Sequence, residues 1–306
     1  MPADEFSLIQ KYFSSLDKGS AIALGVGDDC ALLNLLPTEH LAVSTDTMVS
    51  GQHFHAHASP DDIAYRCVVA AASDLAAMGA RPMGMTLALT LPQADETWLE
   101  GFSHGLTEAS HACQLPLAGG DTTAGPLTIT VQVMGAVPRD AALLRSGAQL
   151  GDQVCVSGTL GDAAAALSDM NGEWQPAGEL KSYLQGRFYR PETRLALGQS
   201  LLGLATAAID ISDGLLADAG HIASASGVGI EIDPALLPLS AAVCSCADEQ
   251  LRLQWALAGG DDYELCFCLP AQADVPEGCT RVGQVVPGEG VHAGVEIDIP
   301  AGYQHF

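Results

Sequence analysis

The chain has 306 residues, which is enough for two domains or one large one. Its formal net charge is −25, with only 12 lysines and arginines. This charge excludes nucleic-acid binding and adhesion to an anionic membrane, because both need clusters of basic side chains. Apolar residues make up 48% of the chain and charged residues 16%, so we expect a folded protein with a sizeable core.

The cysteines and the N-terminus bear on the compartment. The nine cysteines include no CxxC pair, and most lie in apolar runs, which indicates free thiols in a reducing environment. The N-terminal stretch MPADEFSLIQKYF has no basic segment followed by a long apolar one, and no apolar run approaches the ~18 residues of a membrane span. We therefore expect a cytoplasmic protein.

Strand and helix patterns alternate through the first half of the chain. The sequence predicts five elements there: strands at 41–46, 83–91 and 127–137, and helices at 59–79 and 95–113. Ser59 is expected to cap the first helix, with Pro60 at its first position and Gly79 at its end.

After a break at about 138–152 the alternation resumes, and we place the boundary between domains 1–140 and 141–306 there. A strand VCVSG precedes a glycine-rich turn and a helix in GTLGDAAAALSDM, and a strand AAIDIS precedes a helix in DGLLADAGHIASAS. A strand GVGIEID, a helix at 248–258 and two or three closing strands follow. Each half is expected to contain a GGD turn, at 119–121 and at 259–261.

Six short stretches place aspartate beside glycine, serine or threonine. They are GVGDDC (25–30), STDT (44–47), SDLAAMG (73–79), GGDTT (119–123), IDISDG (209–214) and GGDDYE (259–264). Magnesium prefers oxygen ligands and is usually held by a few carboxylates and substrate phosphates. The chain has no GxxxxGK[ST] motif and only three lysines. The pattern therefore favours phosphate handling in which magnesium offsets the charge that a P-loop lysine offsets elsewhere.

Asp74 lies on the apolar face of the predicted 59–79 helix. Steps of three and four residues align it with Ile63, Cys67, Ala70 and Met78. A carboxylate at the edge of a core needs a partner, because an unpaired buried charge costs several kcal/mol. Either Asp74 ligates a metal, or it pairs with a local backbone group.

Two further features have alternative interpretations. HFHAH would point His53, His55 and His57 to one face if it formed a strand, as in some zinc sites, whereas a loop would leave one histidine to contact a ligand. We favour the loop. Arg145 is either a cationic contact for phosphates or an ordinary surface arginine.

In IDISDG, Ser212 could cap the following helix, whose N-terminus favours anions.

These motifs, taken in order and nearly from end to end of the chain, resemble the thiamine-monophosphate kinase family. That family belongs to a superfamily with aminoimidazole ribonucleotide synthetase and selenophosphate synthetase. The resemblance rests on EFSLIQKYF, GVGDDCALL, STDTMVSGQHF, SDLAAMGARP, GGDTTAGPL, RSGAQLGD, VSGTLGD, IDISDGL, GGDDYELCF and GYQHF.

The resemblance implies an α+β, two-domain aminoimidazole ribonucleotide synthetase-like fold and a homodimer whose N-terminal sheets pair. It implies in-line transfer of the ATP γ-phosphate onto thiamine monophosphate, giving thiamine diphosphate, with several Mg²⁺ ions and no catalytic side chain. The implied magnesium ligands are Asp29, Ser44, Thr45, Asp46, Asp74, Asp121, Asp210 and Asp213. The implied ATP contacts are Gly120, Asp121, Arg145 and Ser212, and the implied contacts to thiamine monophosphate are His53, Asp261 and Tyr303.

The chain departs from the family pattern at two places. It reads GGDDYEL where the family usually reads GGEDYEL, so Asp261 is one methylene shorter. It has Ser103 in FSHGL, where the family commonly has an aromatic residue, so we assign no adenine contact there. Two rival functions remain at this point: a sibling ATP-dependent synthetase, and a non-catalytic acidic metal-binding protein.

Overall fold

The structure is a computed structural model that describes residues 5–14, 19–26 and 30–295. The chain divides into two compact units. The first contains the residues up to Leu75 together with Ala80–Asp140, and the second contains Ala76–Gly79 together with the chain from Ala141 onward.

The described residues of the first unit form three helices and six strands. In chain order they are α1 (Glu5–Tyr12), β1 (Ile22–Leu24), β2 (Leu32–Leu33), β3 (Glu39–Val49), α2 (Pro60–Ala77), β4 (Arg81–Leu91), α3 (Glu96–Cys113), β5 (Leu117–Ala124) and β6 (Thr128–Pro138). Strands β3, β6, β4 and β5 form a four-stranded sheet in that order, and strands β1 and β2 form a separate pair. Strand β4 pairs antiparallel with β6 and parallel with β5.

Helix α2 covers one face of this sheet. The Cys67 thiol donates to Met48 Sδ at 3.5 Å, so α2 lies over the even-numbered residues of β3. Ile63, Cys67 and Ala70 are buried, which confirms the predicted apolar stripe of the helix. The opposite face of β3 exposes Leu41, Val43 and Val49 to solvent.

The GGDTT stretch was expected to form a turn, and that expectation is wrong. Gly119, Gly120 and Asp121 lie within β5 and pair with β4. A Cβ at Gly120 would overlap the Leu87 carbonyl oxygen of β4. Glycine is therefore needed here because two strands approach closely, and not because the chain reverses.

The second unit is built on a six-stranded sheet. Its elements are β7 (Gln153–Ser157), α4 (Asp162–Met170), α5 (Glu179–Tyr189), α6 (Leu195–Ser200), β8 (Ala207–Ile211), α7 (Leu215–Ser226), β9 (Gly229–Ile232), a 3₁₀ turn (Pro234–Leu236), α8 (Ala241–Cys244), α9 (Glu249–Ala258), β10 (Glu264–Leu269), β11 (Cys279–Val286) and β12 (Gly290–His292). The strand order is β12-β9-β11-β7-β10-β8, and all neighbours are antiparallel except β12 and β9.

Two apolar clusters fill this unit. The larger one joins the sheet to α7 through residues such as Val156, Ile209 and Ile222, and the smaller one joins helices through Phe188 and Trp255. All nine cysteines are free thiols. Across the described ranges, no helix combines the length and the hydrophobicity that spanning a membrane requires.

Candidate functional site

The first group of predicted site residues lies between β3 and α2. Ser44 and Asp46 are on β3, two residues apart and therefore on one face of the strand. Asp74 reaches them from α2, and the Ser44 hydroxyl donates to Asp74 Oδ2 at 2.5 Å. The partner of Asp74 is thus a sheet residue 30 positions away, as expected of a carboxylate aimed at a shared site and not of a local helix pairing.

Electrostatics indicate what this group can bind. Burial, and after it the negative charge of Asp74, raises the pKa of Asp46 to about 6. Two neighbouring carboxylates of this kind are relieved by a proton or a cation. Because the donors are all oxygen atoms, the set fits a hard cation such as Mg²⁺.

Asp46 and Asp74 form a carboxylate pair and not a complete metal site. Within the described ranges, no group of three or more His, Cys, Asp or Glu side chains converges to hold a metal ion. Magnesium usually takes only one or two carboxylates and completes its shell with water and substrate phosphates, so a set of this size is compatible with the expected magnesium site.

Thr45 does not join this group through its side chain. It alternates to the exposed face of β3, where Gln132 Nε2 donates to its Oγ1 at 3.3 Å. Its hydroxyl therefore faces away from the Asp46–Asp74 pair.

A cleft of about 570 Å³ opens beside β5 in the same unit. Its walls include Gly120 and Asp121 from β5 and the apolar side chains of Ile9, Phe13 and Leu117. An apolar wall beside exposed glycine backbone and a carboxylate suits a ligand with a flat apolar part and a charged part. The cleft therefore brings together two of the residues expected to contact ATP.

His53 lies in the turn that follows β3. The Val49 backbone N–H donates to His53 Nδ1 at 3.1 Å. The neutral ring therefore carries its proton on Nε2, which makes that atom a hydrogen-bond donor. Residues 53–57 form turns and one isolated bridge at Phe54 and not a strand, so the strand geometry that the zinc interpretation needed does not occur.

The second group of predicted residues lies at the end of β8 in the second unit. Asp210 is buried in the strand, and Ser212 and Asp213 follow it. The backbone N–H groups of Ser212, Asp213 and Gly214 all donate to Asp218 Oδ2, at 3.0, 3.0 and 3.1 Å. Burial, more than any other cause, raises the pKa of Asp218 to about 6.

The expectation that Ser212 caps the following helix is wrong. Helix α7 begins after Gly214, and no side chain caps it from that position. Asp218 lies in the first turn and accepts the three amides instead. The amides that could have bound an anion are therefore already occupied by a carboxylate.

The GGDDYE loop lies against the end of β8. The Asp261 N–H donates to the Ser212 carbonyl and the Tyr263 N–H to the Ile211 carbonyl, both at 2.9 Å. The structure thus brings Asp261 together with Ser212. Gly260 permits this approach, because a Cβ there would overlap the Ser212 carbonyl oxygen.

Arg145 lies in the segment before β7, next to Leu144, whose carbonyl accepts from the Ala208 N–H of the edge strand β8. The Arg145 carbonyl accepts from the Ser226 hydroxyl at 3.2 Å, which ties the segment to the end of α7, and its side chain is exposed. Asp29 and Tyr303 lie outside the described residues.

Sequence reasoning missed a buried ionic network around Glu264. Glu264 accepts from Arg194 Nε at 2.6 Å, from Arg187 Nη2 at 2.8 Å and from the Ser157 hydroxyl at 2.5 Å. Burial alone would raise the pKa of Glu264, but the hydrogen bonds and charge of Arg194, followed by the charge of Arg187, hold it below its usual range. The neighbouring Asp262 accepts from the backbone N–H groups of Gly161 and Ala163, and burial raises its pKa to about 8.

Comparison with known proteins relates both units to one family. The model of the N-terminal domain of AIR synthase related proteins matches residues 27–137, and the model of their C-terminal domain matches residues 149–296. The chain is 49% identical to thiamine-monophosphate kinase of Escherichia coli over 272 residues, which cover 88% of this chain and 84% of that protein.

Solved structures agree with this match. A thiamine-monophosphate kinase structure from Stenotrophomonas maltophilia is 44% identical, with a TM-score of 0.85 over 92% of this chain and 93% of that one. A structure described as AaThiL complexed with AMPPCP and TMP is 33% identical, with a TM-score of 0.82 over 92% of each chain. The chain therefore belongs to the thiamine-monophosphate kinases of the AIR synthase related family.

Proposed function

We propose that this chain transfers a phosphate from ATP to thiamine monophosphate, giving ADP and thiamine diphosphate. The observation that carries this function is the likeness, over 92% of the chain, to a structure that holds AMPPCP and TMP. Identity of 49% to a curated thiamine-monophosphate kinase supports it. Because both reaction partners are anionic phosphates, the main tasks of the protein are to position them and to offset their charge.

Magnesium fits the oxygen donors of the first unit. Ser44, Asp46 and Asp74 would hold it, and bound Mg²⁺ supplies neutralisation of the phosphate charges. The raised pKa of Asp46, caused by burial and then by Asp74, supports this assignment, because a cation relieves both effects. The family resemblance implies as further ligands Asp29, Asp121, Asp210 and Asp213, and also Thr45, whose hydroxyl faces away from the Asp46–Asp74 pair.

The cleft beside β5 is the proposed site for the nucleotide. Phe13 and Leu117 offer apolar contact to a base, and Gly120 and Asp121 lie at the exposed backbone of the same cleft. Arg145 and Ser212 are proposed as additional ATP contacts, with the exposed Arg145 guanidinium as a donor to phosphate oxygens.

His53, Asp261 and Tyr303 are proposed to bind thiamine monophosphate. Because its Nδ1 accepts from Val49, neutral His53 presents Nε2–H as a donor to the substrate phosphate. The Asp261 carboxylate complements the cationic thiazolium or the amino group of the substrate. The accepting phosphate oxygen is already anionic at neutral pH, so no general base is assigned.

A homodimer is proposed through the exposed side of the four-stranded sheet. Strand β3 is an edge strand, and Leu41, Val43 and Val49 are 43%, 52% and 37% exposed on it. An edge strand with exposed apolar side chains is normally covered by another strand or another molecule.

A coupled assay of ADP release tests the reaction. We expect ADP from ATP with thiamine monophosphate, and none above background with unphosphorylated thiamine or with aminoimidazole ribonucleotide precursors. ADP release with aminoimidazole ribonucleotide precursors, and none with thiamine monophosphate, would assign the chain to the sibling synthetases instead.

A further inference from the structure

Two strained residues flank the buried Asp262 in the GGDDYE loop. Asp261 has φ +70° and Tyr263 has φ +51°. Non-glycine residues seldom adopt this left-handed region, which is strained and persists only where the surrounding structure enforces it. Because both positions 261 and 263 adopt this region, the rest of the fold must impose the conformation of the loop.

The residues next to Asp261 are anchored independently. The Asp262 carboxylate accepts from Gly161 N–H at 2.7 Å, and Glu264 is held by Arg194 and Arg187. Of the three acidic residues in the loop, Asp262 and Glu264 are buried, and only Asp261 reaches solvent. The anchored residues therefore fix the backbone around Asp261, the one acidic residue of the loop that is only partly buried.

Tyr263 acts on the Asp261 carboxylate. Its ring is buried, with 7% exposed, and its hydroxyl donates to Asp261 Oδ1 at 2.9 Å. A phenol on a packed ring is a rigid donor, so this hydrogen bond selects one rotamer of Asp261 and sets the direction of its second oxygen.

We propose that Tyr263 is a positioning residue for substrate recognition, and that its hydroxyl orients the Asp261 carboxylate toward the cationic or amino-bearing part of thiamine monophosphate. The proposal rests on the proposed function.

Tyr263→Phe keeps the buried ring and removes the hydroxyl. We expect the KM for thiamine monophosphate to rise about tenfold, while kcat and the KM for ATP stay within about twofold, because a hydrogen bond to a charged group is lost in substrate binding only. Tyr189→Phe is the matched control: its hydroxyl contacts Met170 Sδ at 3.5 Å in the same unit, and its KM values should equal those of the wild type.

A double-mutant cycle separates positioning from general damage. Asp261→Ala should raise the same KM at least as much as Tyr263→Phe, and adding Tyr263→Phe to Asp261→Ala should change nothing further. An additive double mutant, or a wild-type KM in Tyr263→Phe, overturns the proposal. A wild-type KM in Asp261→Ala overturns it even if Tyr263→Phe does not fold. Failure of the proposed function is a different result, in which the wild-type chain releases no ADP with thiamine monophosphate.

Discussion

Asp74→Asn should have opposite effects on stability and on activity. Asparagine keeps an oxygen that can accept from the Ser44 hydroxyl, which donates to Asp74 at 2.5 Å, but it removes the charge that helps to raise the pKa of Asp46. The substitution therefore isolates the electrostatic role of Asp74.

The magnitude follows from the pKa of Asp46. A value of about 6 lies about two units above that of an ordinary aspartate, and each unit corresponds to about 1.4 kcal/mol, so ionising Asp46 in the metal-free protein costs about 3 kcal/mol. Burial is the larger cause and the charge of Asp74 the smaller, so Asp74 accounts for less than half of this cost, at most about 1.5 kcal/mol.

The sign of the pH dependence follows from the same shift. Because the folded state holds the Asp46 proton more tightly than the unfolded state, the metal-free protein loses stability as the pH rises from about 4 to about 6. Asp218, whose pKa burial also raises to about 6, contributes in the same direction. In Asp74→Asn this loss should be smaller by at most about 1.5 kcal/mol, so the metal-free variant should be more stable than the wild type at pH 7.

Activity should move the other way. Loss of one carboxylate ligand should raise the Mg²⁺ concentration for half-maximal ADP release by at least about tenfold. Urea unfolding in EDTA and magnesium titration of the kinase assay measure the two effects. Asp95→Asn is the control, because Asp95 caps α3 in the same unit and asparagine caps equally well. An Asp74→Asn variant with a wild-type magnesium midpoint would refute the assignment of Asp74 as a metal ligand.

Three further variants test other parts of the structure. Gly120→Ala places a Cβ on the Leu87 carbonyl, so thermal unfolding should show that the free energy of unfolding falls by about 3 kcal/mol, and kinetics should show a higher KM for ATP. Gly119→Ala is the control: its Cβ meets open space, so it should lower the free energy of unfolding by less than about 0.5 kcal/mol. Equal losses in the two variants would contradict the argument that β4 and β5 pair closely at Gly120. Glu264→Gln leaves two guanidinium groups short of a counter-charge and should lower the free energy of unfolding in urea by about 3 kcal/mol, and an unchanged midpoint would show that the network is not stabilising. Val43→Lys places a charge on the exposed edge strand and should give a folded monomer in sedimentation velocity, and a dimer in this variant would locate the interface elsewhere.

The elements with a clear period were predictable from the sequence. The apolar stripe of α2 identified both the helix and Asp74 as the polar residue on its buried side. By contrast, α5 was missed because ELKSYLQGRFY buries only Leu184 and Phe188, and its Arg187 points to Glu264 and not to solvent. A helix held by an ion pair has little hydrophobic periodicity to detect.

The errors at the site have a common cause. The glycines of GGDTT and the hydroxyl of Ser212 were interpreted from their neighbours in sequence, as a turn and as a cap. In the structure Gly120 is needed because of β4, and Asp218 binds the amides beside Ser212. Contacts of this kind depend on which segments meet, and the separation of 77 positions between Arg187 and Glu264 shows how little spacing alone reveals about them.

Transfer of the label from [γ-³²P]ATP tests the central claim most directly. In the presence of Mg²⁺ and thiamine monophosphate, the wild-type chain should place the label in thiamine diphosphate, in an amount equal to the ADP formed. Label that appears only as inorganic phosphate, or that never leaves ATP, would contradict the account.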